Sequence, residues 1–218
     1  MNTKYTSFRT SSWQLPSTLI AVVLWLSAVV MGMALILRHA NTPGAQSETP
    51  LHWPMGSRIS LASNQPTLIM FAHPRCPCTR ASLAELDSLV ANCRGYFSAQ
   101  VWFIKPAGTD NDWTNSSIWH QAAAIPGVAI YCDDNEIESR RFHAETSGHT
   151  VLYNQKGVLL FQGGITASRG HLGDNAGLSA LEQLLRRTIT NQIQTKVFGC
   201  PLYSKSRPQG ETPCTPPK

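Results

Sequence analysis

Leu19–Leu37, LIAVVLWLSAVVMGMALIL, runs without one charged side chain, and no other stretch limits the fold as strongly. Crossing the hydrocarbon core of a bilayer takes about 20 apolar residues in a helix. A cleaved signal peptide is the competing reading, but its apolar core is usually about 7–15 residues and ends in small residues. Here the run ends in Leu-Arg-His, with only Ala40 and Asn-Thr-Pro-Gly beyond it to serve a cleavage site. The sequence therefore predicts a single-pass anchor over 19–37 behind an N-terminal tail over 1–18. Membrane lipid is the first expected partner, with Trp13 and Trp25 suited to interface or lipid-facing positions.

Lys4 and Arg9 precede the run and Arg38 follows it, so the positive-inside bias is slight. These three account for much of the formal net charge of +5, leaving about +2 elsewhere. No Lys/Arg run is interleaved with aromatics, which argues against nucleic acid as a partner. Six cysteines (Cys76, Cys78, Cys93, Cys132, Cys200, Cys214) are too few for a disulfide scaffold in 218 residues but suit an oxidising compartment. That tips the orientation towards a cytoplasmic N-terminus with the rest of the chain outside. The Pro- and Gly-containing stretch NTPGAQSETPLHWP then reads as a linker, within 38–57.

The folded part is expected over 58–197 and a tail over 198–218, whose ETPCTPPK end holds Cys214. Thr67–Ala72 is an apolar run that reads as a buried strand, and Leu83, Leu86, Leu89 and Val90 recur at helical spacing, with Arg80, Glu85 and Asp87 opposite. A strand over Gln100–Ile104, a helix over Asp112–Ala124 and a strand over Val128–Tyr131 follow. Then come a short helix over Glu136–Phe142, a hairpin pairing Thr150–Tyr153 with Val158–Phe161, and a helix over Leu178–Ile193, with Leu181, Leu184, Leu185 and Thr188 on one face. The order predicts an α/β fold, a mixed sheet flanked by helices.

Cys76-Pro77-Cys78 falls between the first strand and its helix. A thiol at a helix start meets unpaired N–H groups and the positive end of the helix dipole, both of which favour the nucleophilic thiolate. Pro77 suits the first helical position, and Arg75, Arg80 and a protonated His73 would add positive charge. Cys76 is thus expected to be the exposed, attacking sulfur and Cys78 the resolving one. A Cys76–Cys78 bond would close a small, easily reduced ring; the alternative is that each sulfur pairs elsewhere, with Cys200 of Phe198-Gly199-Cys200-Pro201-Leu202 as the possible third thiol.

Other motifs carry less. The glycine-rich loop 163–177 matches no nucleotide fingerprint. Its Arg169, His171 and Asp174 are candidates to line the site, against the simpler reading that its glycines make turns and Asp174 or Asn175 caps a helix. Cys93 and Cys132 read as packed thiols, and no GxSxG elbow supports a serine hydrolase.

The element order with a cysteine pair after the first strand resembles the thioredoxin superfamily over residues 58–195. More narrowly, HPRCPCTRASLAEL, SGHTVLYNQKG, GGITASRGHLGDNAG and VFGCPL together look like a membrane-anchored bacterial group labelled RedB. The resemblance implies thiol–disulfide chemistry on protein thiols or disulfides, or with a membrane reductant. It also implies the inner (cytoplasmic) membrane, with the domain in the periplasm. Two departures qualify it. The usual motif is Cys-x-x-Cys, and His149 stands where the family carries a cis-proline before the strand facing the thiols. No cofactor follows from the main reading. Cys76, Cys78 and His149 together form an alternative soft site for copper or zinc, although no second ligand pair of zinc type is present. A redox-inert interaction domain is the third reading.

Overall fold

The computed structural model describes residues 14–203. The chain divides at His39/Ala40 into two compact units. The first is a helix, α1 (Gln14–Ala40). Its stretch Ser17–Ala40 has a mean hydropathy of 2.7 and is long and apolar enough to cross a membrane. Leu24, Trp25, Val30 and Ile36 all lie open on its surface, as lipid-facing side chains would. Lys4, Arg9 and Trp13 lie outside the described residues.

The second unit is built on β1 (Thr67–Ala72), α2 (Thr79–Asn92), β2 (Ser98–Lys105), α3 (Ser117–Ala123), β3 (Val128–Asp134), α4 (Ile137–Arg141), β4 (His149–Tyr153), β5 (Leu159–Gly163) and α5 (Ala176–Leu185). The five strands form one sheet in the order β3-β2-β1-β4-β5. β1 runs parallel to β2 and antiparallel to β4. β2–β3 is parallel and β4–β5 antiparallel. This is the expected mixed sheet with flanking helices, thioredoxin-like in topology. β1 is central and buried along its whole length, which is why it reads as an unbroken apolar run.

Alternate residues of β1 feed two cores. Leu68, Met70 and Ala72 pack with Leu83, Leu86 and Leu89 of α2, Ile118 and Ala122 of α3, and Leu181 and Leu185 of α5. Ile69 and Phe71 pack on the other face with Phe142, Ala144, Val151, Tyr153 and Leu202. The hairpin turn is held by Asn154, whose Oδ1 accepts from the N–H groups of Lys156 and Val158, both at 2.9 Å.

Several boundaries differ from expectation. The stretch expected to act as a linker is strapped to the domain. Thr49 N–H donates to Gln162 Oε1 (2.9 Å), Tyr153 Oη donates to Pro50 O (2.7 Å), and Leu51 O accepts from Leu159 N–H (2.9 Å). The expected second helix is a 3₁₀ turn at Asn111–Trp113 followed by α3, because Trp113 Nε1 donates to Ile104 O and Ser116 caps a fresh start at Trp119 N–H. α5 stops at Leu185: Arg187 turns left-handed (φ 57°) and Thr188 N–H closes back on Gln183 O, leaving Thr188 exposed. Residues 193–195 then run beside Gln162. Glu85, expected on the solvent face of α2, is buried and accepts from Gly173 N–H at 2.6 Å.

Asp133 shows how much a single buried polar group holds here. Its carboxylate is fully buried and accepts from Glu138 N–H, Ser139 N–H and Ser139 Oγ at 2.8, 2.8 and 2.6 Å. Asp133→Ala strands two N–H donors at the start of α4 and leaves Ser139 Oγ only its longer bond to Glu136 O (3.3 Å), and the expected loss is about 2 kcal/mol of unfolding free energy. Urea unfolding measures it; an unchanged midpoint would show that the donors find other acceptors.

Candidate functional site

β1 delivers the chain into a turn, His73–Cys78, that leads to α2. Cys76 N–H closes on His73 O (3.2 Å), and Arg80 and Ala81 N–H donate to Pro77 O and Cys78 O, both at 3.2 Å. The entry is thus a tight turn rather than the first α-helical turn. α2 begins at Thr79 with Cys78 as its cap residue, so Pro77 lies outside the helix and not at the first helical position.

Three thiols meet at this junction. The sulfurs of Cys76, Cys78 and Cys200 all lie within 4.8 Å of one another, the one such group of potential ligands among the described residues. Cys200 Sγ is 2.7 Å from Cys76 Sγ, and Cys200 N–H points at the same sulfur at 3.4 Å. All three are free thiols. Exposure reverses the expected order: Cys76 is 1% exposed, whereas Cys78 and Cys200 are half-buried.

Cys200 is held there by backbone. Gly199 passes so close to the loop before β4 that a Cβ would sit 2.0 Å from Ser147 O. Ser147 N–H donates to Cys200 O (2.9 Å), and Leu202 N–H donates to Glu145 O (2.8 Å). The Ser147 hydroxyl in turn accepts from His73 N–H (2.8 Å) and bonds Thr79 Oγ1 (2.7 Å). One serine therefore ties the Cys76 turn, the start of α2 and the Cys200 arm together.

The electrostatics follow from these contacts. The Cys200 thiol beside it pulls the Cys76 pKa down from 9.0 to about 5, against the effect of burial, with help from the Cys200 N–H and from the hydroxyl and N–H of Thr79. Burial and the neighbouring Cys76 push Cys78 up, and Arg169 partly opposes this. Cys200 is also pushed up, foremost by its bond to Cys76.

The expected basic helpers fall differently. Arg80 donates to Ser117 Oγ on α3 at 2.6 Å, and Arg75 stacks over the Trp113 ring at 4.2 Å. Neither is among the groups that move Cys76. His73 is pushed down in pKa, chiefly by burial, which disfavours the charged form expected of it; its Nδ1 accepts from Arg75 N–H. Arg169, from the glycine-rich loop, does reach the site: Nε donates to Thr42 O (3.2 Å) and Nη1 to Gly199 O. His171 and Asp174 are exposed, and it is Asn175 that caps α5.

His149 opens β4 opposite Phe71, and no cis peptide occurs among the described residues. Its ring is fully buried, with Nε2 3.1 Å from Thr49 Oγ1 and Nδ1 unpartnered. It does not join the thiols; Cys200 holds the third place that the copper or zinc alternative gave to it. The reason is register: residues paired across strands share a face, and Phe71 belongs to the core opposite α2.

Cys93 is buried at the end of α2, and Cys132 Sγ donates to Thr114 Oγ1 at 3.6 Å, both apart from the cluster, while Cys214 lies outside the described residues. A groove of about 680 Å³ between the glycine-rich loop and residues 192–198 includes none of the three thiols in its walls. Sequence reading missed Thr79, Ser147 and Gly199. Thr79 carried a signal, following the motif directly at a helix start; Ser147 and Gly199 carried none.

No family model matches the chain, and no curated protein sequence matches it. Among solved structures, an uncharacterized conserved protein from Geobacillus kaustophilus is similar at TM-score 0.55 and 16% identity, covering 77% of this chain and 94% of its own. A hypothetical protein SMc02350 from Sinorhizobium meliloti 1021 is similar at TM-score 0.54 and 16% identity, covering 74% and 93%. At such identity the likeness speaks for the fold.

Proposed function

We propose that this chain is a membrane-tethered thiol–disulfide oxidoreductase, with Cys76 as the attacking sulfur and a second thiol of the same cluster completing the exchange. The observation that carries the reading is the packing of three free thiols at the junction of β1 and α2, with Cys76 held as thiolate by its neighbours. A thiolate beside a second thiol is what disulfide exchange requires, since the first sulfur attacks and the second releases the mixed disulfide. α1 tethers the domain to lipid, the cytoplasmic membrane in this reading, with the N-terminus in the cytoplasm and the thiols in the periplasm. Protein thiols and disulfides, or a membrane reductant, are its partners. The narrower RedB-type resemblance belongs to this proposal and rests on the quoted motifs.

Equilibration of the full chain, in detergent, against glutathione buffers of graded potential tests it. A reversible two-electron couple that consumes Cys76 is the expected result. Failure of Cys76 to oxidise at any potential in the range of known exchange enzymes would leave a redox-inert domain.

The three sulfurs also favour a second reading, a site for a thiophilic cation. Three thiolates with no fourth ligand among the described residues suit monovalent copper better than zinc, which takes four ligands in structural sites. Titrating the reduced full chain with Cu(I) against a competing chelator decides this: stoichiometric binding lost in Cys200→Ser supports it, and no binding removes it.

A further inference from the structure

We infer that Cys200, carried on the C-terminal arm, and not Cys78, is the thiol that closes the internal disulfide with Cys76. This rests on the exchange reading above and assigns its second sulfur. The arm brings Cys200 Sγ to 2.7 Å from Cys76 Sγ, across 124 residues of sequence. Contacts that involve neither sulfur's own side chain fix that approach: the Ser147 N–H on Cys200 O, the pairing of Thr146 with Pro201, and the Leu202 N–H on Glu145 O. Leu202 itself is buried in the core beneath. Cys78 instead caps α2, separated from Cys76 by Pro77, and none of these backbone contacts of the arm holds it against Cys76.

The chemistry balances within these groups. Cys76 thiolate attacks one sulfur of an external disulfide, forming a mixed disulfide and releasing one thiolate. Cys200 then attacks Cys76 Sγ, forming the Cys76–Cys200 bond and expelling the second thiolate, which takes up the proton that Cys200 loses. Two electrons pass from the thiol pair to the external disulfide. Because Cys76 is 1% exposed with Cys200 Sγ against its sulfur, the site has to open for the first step and close again for the second. Cys78 stays reduced beside the bond, placed to receive a later partner.

The test maps linkages in the full chain in detergent. Reduced protein is mixed with one equivalent of oxidised glutathione, the remaining thiols are alkylated, and linked peptides are identified by mass. A Cys76–Cys200 link with Cys78 alkylated is the expected result. Cys200→Ser should hold glutathione on Cys76 at least about tenfold longer, because the second attack is removed. Gly199→Val, whose Cβ meets Ser147 O, should lower the yield of the link with all thiols still present. A Cys76–Cys78 link overturns the inference and leaves the exchange reading standing, whereas a link that omits Cys76 or uses a cysteine outside the cluster overturns both. No internal link and no glutathione on Cys76 overturns both.

Discussion

Cys76→Ser is expected to bring exchange with a model disulfide down to the uncatalysed background, while Cys132→Ser stays within about twofold of the parent. Cys132 is the fair control, since it bonds Thr114 and takes no part in the cluster. The depressed pKa of Cys76 has a specific meaning here. Falling from 9.0 to about 5 raises the thiolate fraction at neutral pH about a hundredfold, but lowers the nucleophilicity of that thiolate by about the same factor. The two nearly cancel for attack. What remains is that Cys76 becomes a good leaving sulfur, so bonds made to it are readily broken. The measurement is the second-order rate of thiolate release from a chromogenic disulfide by reduced full-length protein. A rate in Cys76→Ser equal to the parent would sink the proposed function.

The fold was legible where one face or both faces of an element are apolar. β1 is central and reads as an uninterrupted apolar run; α2 shows Leu83, Leu86 and Leu89 at helical spacing because those residues meet β1 directly. The hairpin was legible for a local reason, the Asn154 side chain and Gly157 turning the chain (φ 73°). Elements held by distant partners were not. Nothing in NTPGAQSETPLHWP announces that its carbonyls and amides will be taken by Gln162, Tyr153 and Leu159, so composition alone made it a linker. The end of α5 was misplaced because its apolar spacing continues through Ile189 and Ile193, while the backbone turns left-handed at Arg187.

The site divides the same way. Cys76 and Cys78 were visible because a motif of adjacent residues needs only its neighbours to acquire meaning. Cys200 was named as a possible third thiol, but its place depends on Ser147 and Gly199, which no spacing rule links to it. His149 was drawn into the metal alternative because it follows the loop that faces the thiols, yet strand register turns its ring to the opposite core. Charge misled as well. Arg75 and Arg80 flank the motif in sequence but engage Trp113 and Ser117, while the arginine that does reach the thiols, Arg169, comes from a loop on the far side of the sheet order.

His149 gives the second large effect, in stability rather than activity. Burial alone pushes its pKa down from 6.5 to about 4, with no charged neighbour contributing. The neutral ring fits its surroundings when Nε2–H donates to Thr49 Oγ1, because Nδ1 then needs no acceptor and none is present. Protonation would place a charge and an N–H in that position, with burial complete and no partner. The unfolded chain binds this proton near pH 6.5 and the folded chain only near pH 4, so between those values the unfolded state holds more protons. Stability from this group is therefore complete above pH 6.5 and is lost as pH falls towards 4, by about 3 kcal/mol in all. Urea unfolding of full-length protein in detergent, followed by tryptophan fluorescence at several pH values, should show that decline in the parent and a flatter profile in His149→Gln. Profiles that run parallel through the window would mean that His149 carries its charge in the folded state as easily as in the unfolded one, contrary to the closed environment between β4 and Thr49.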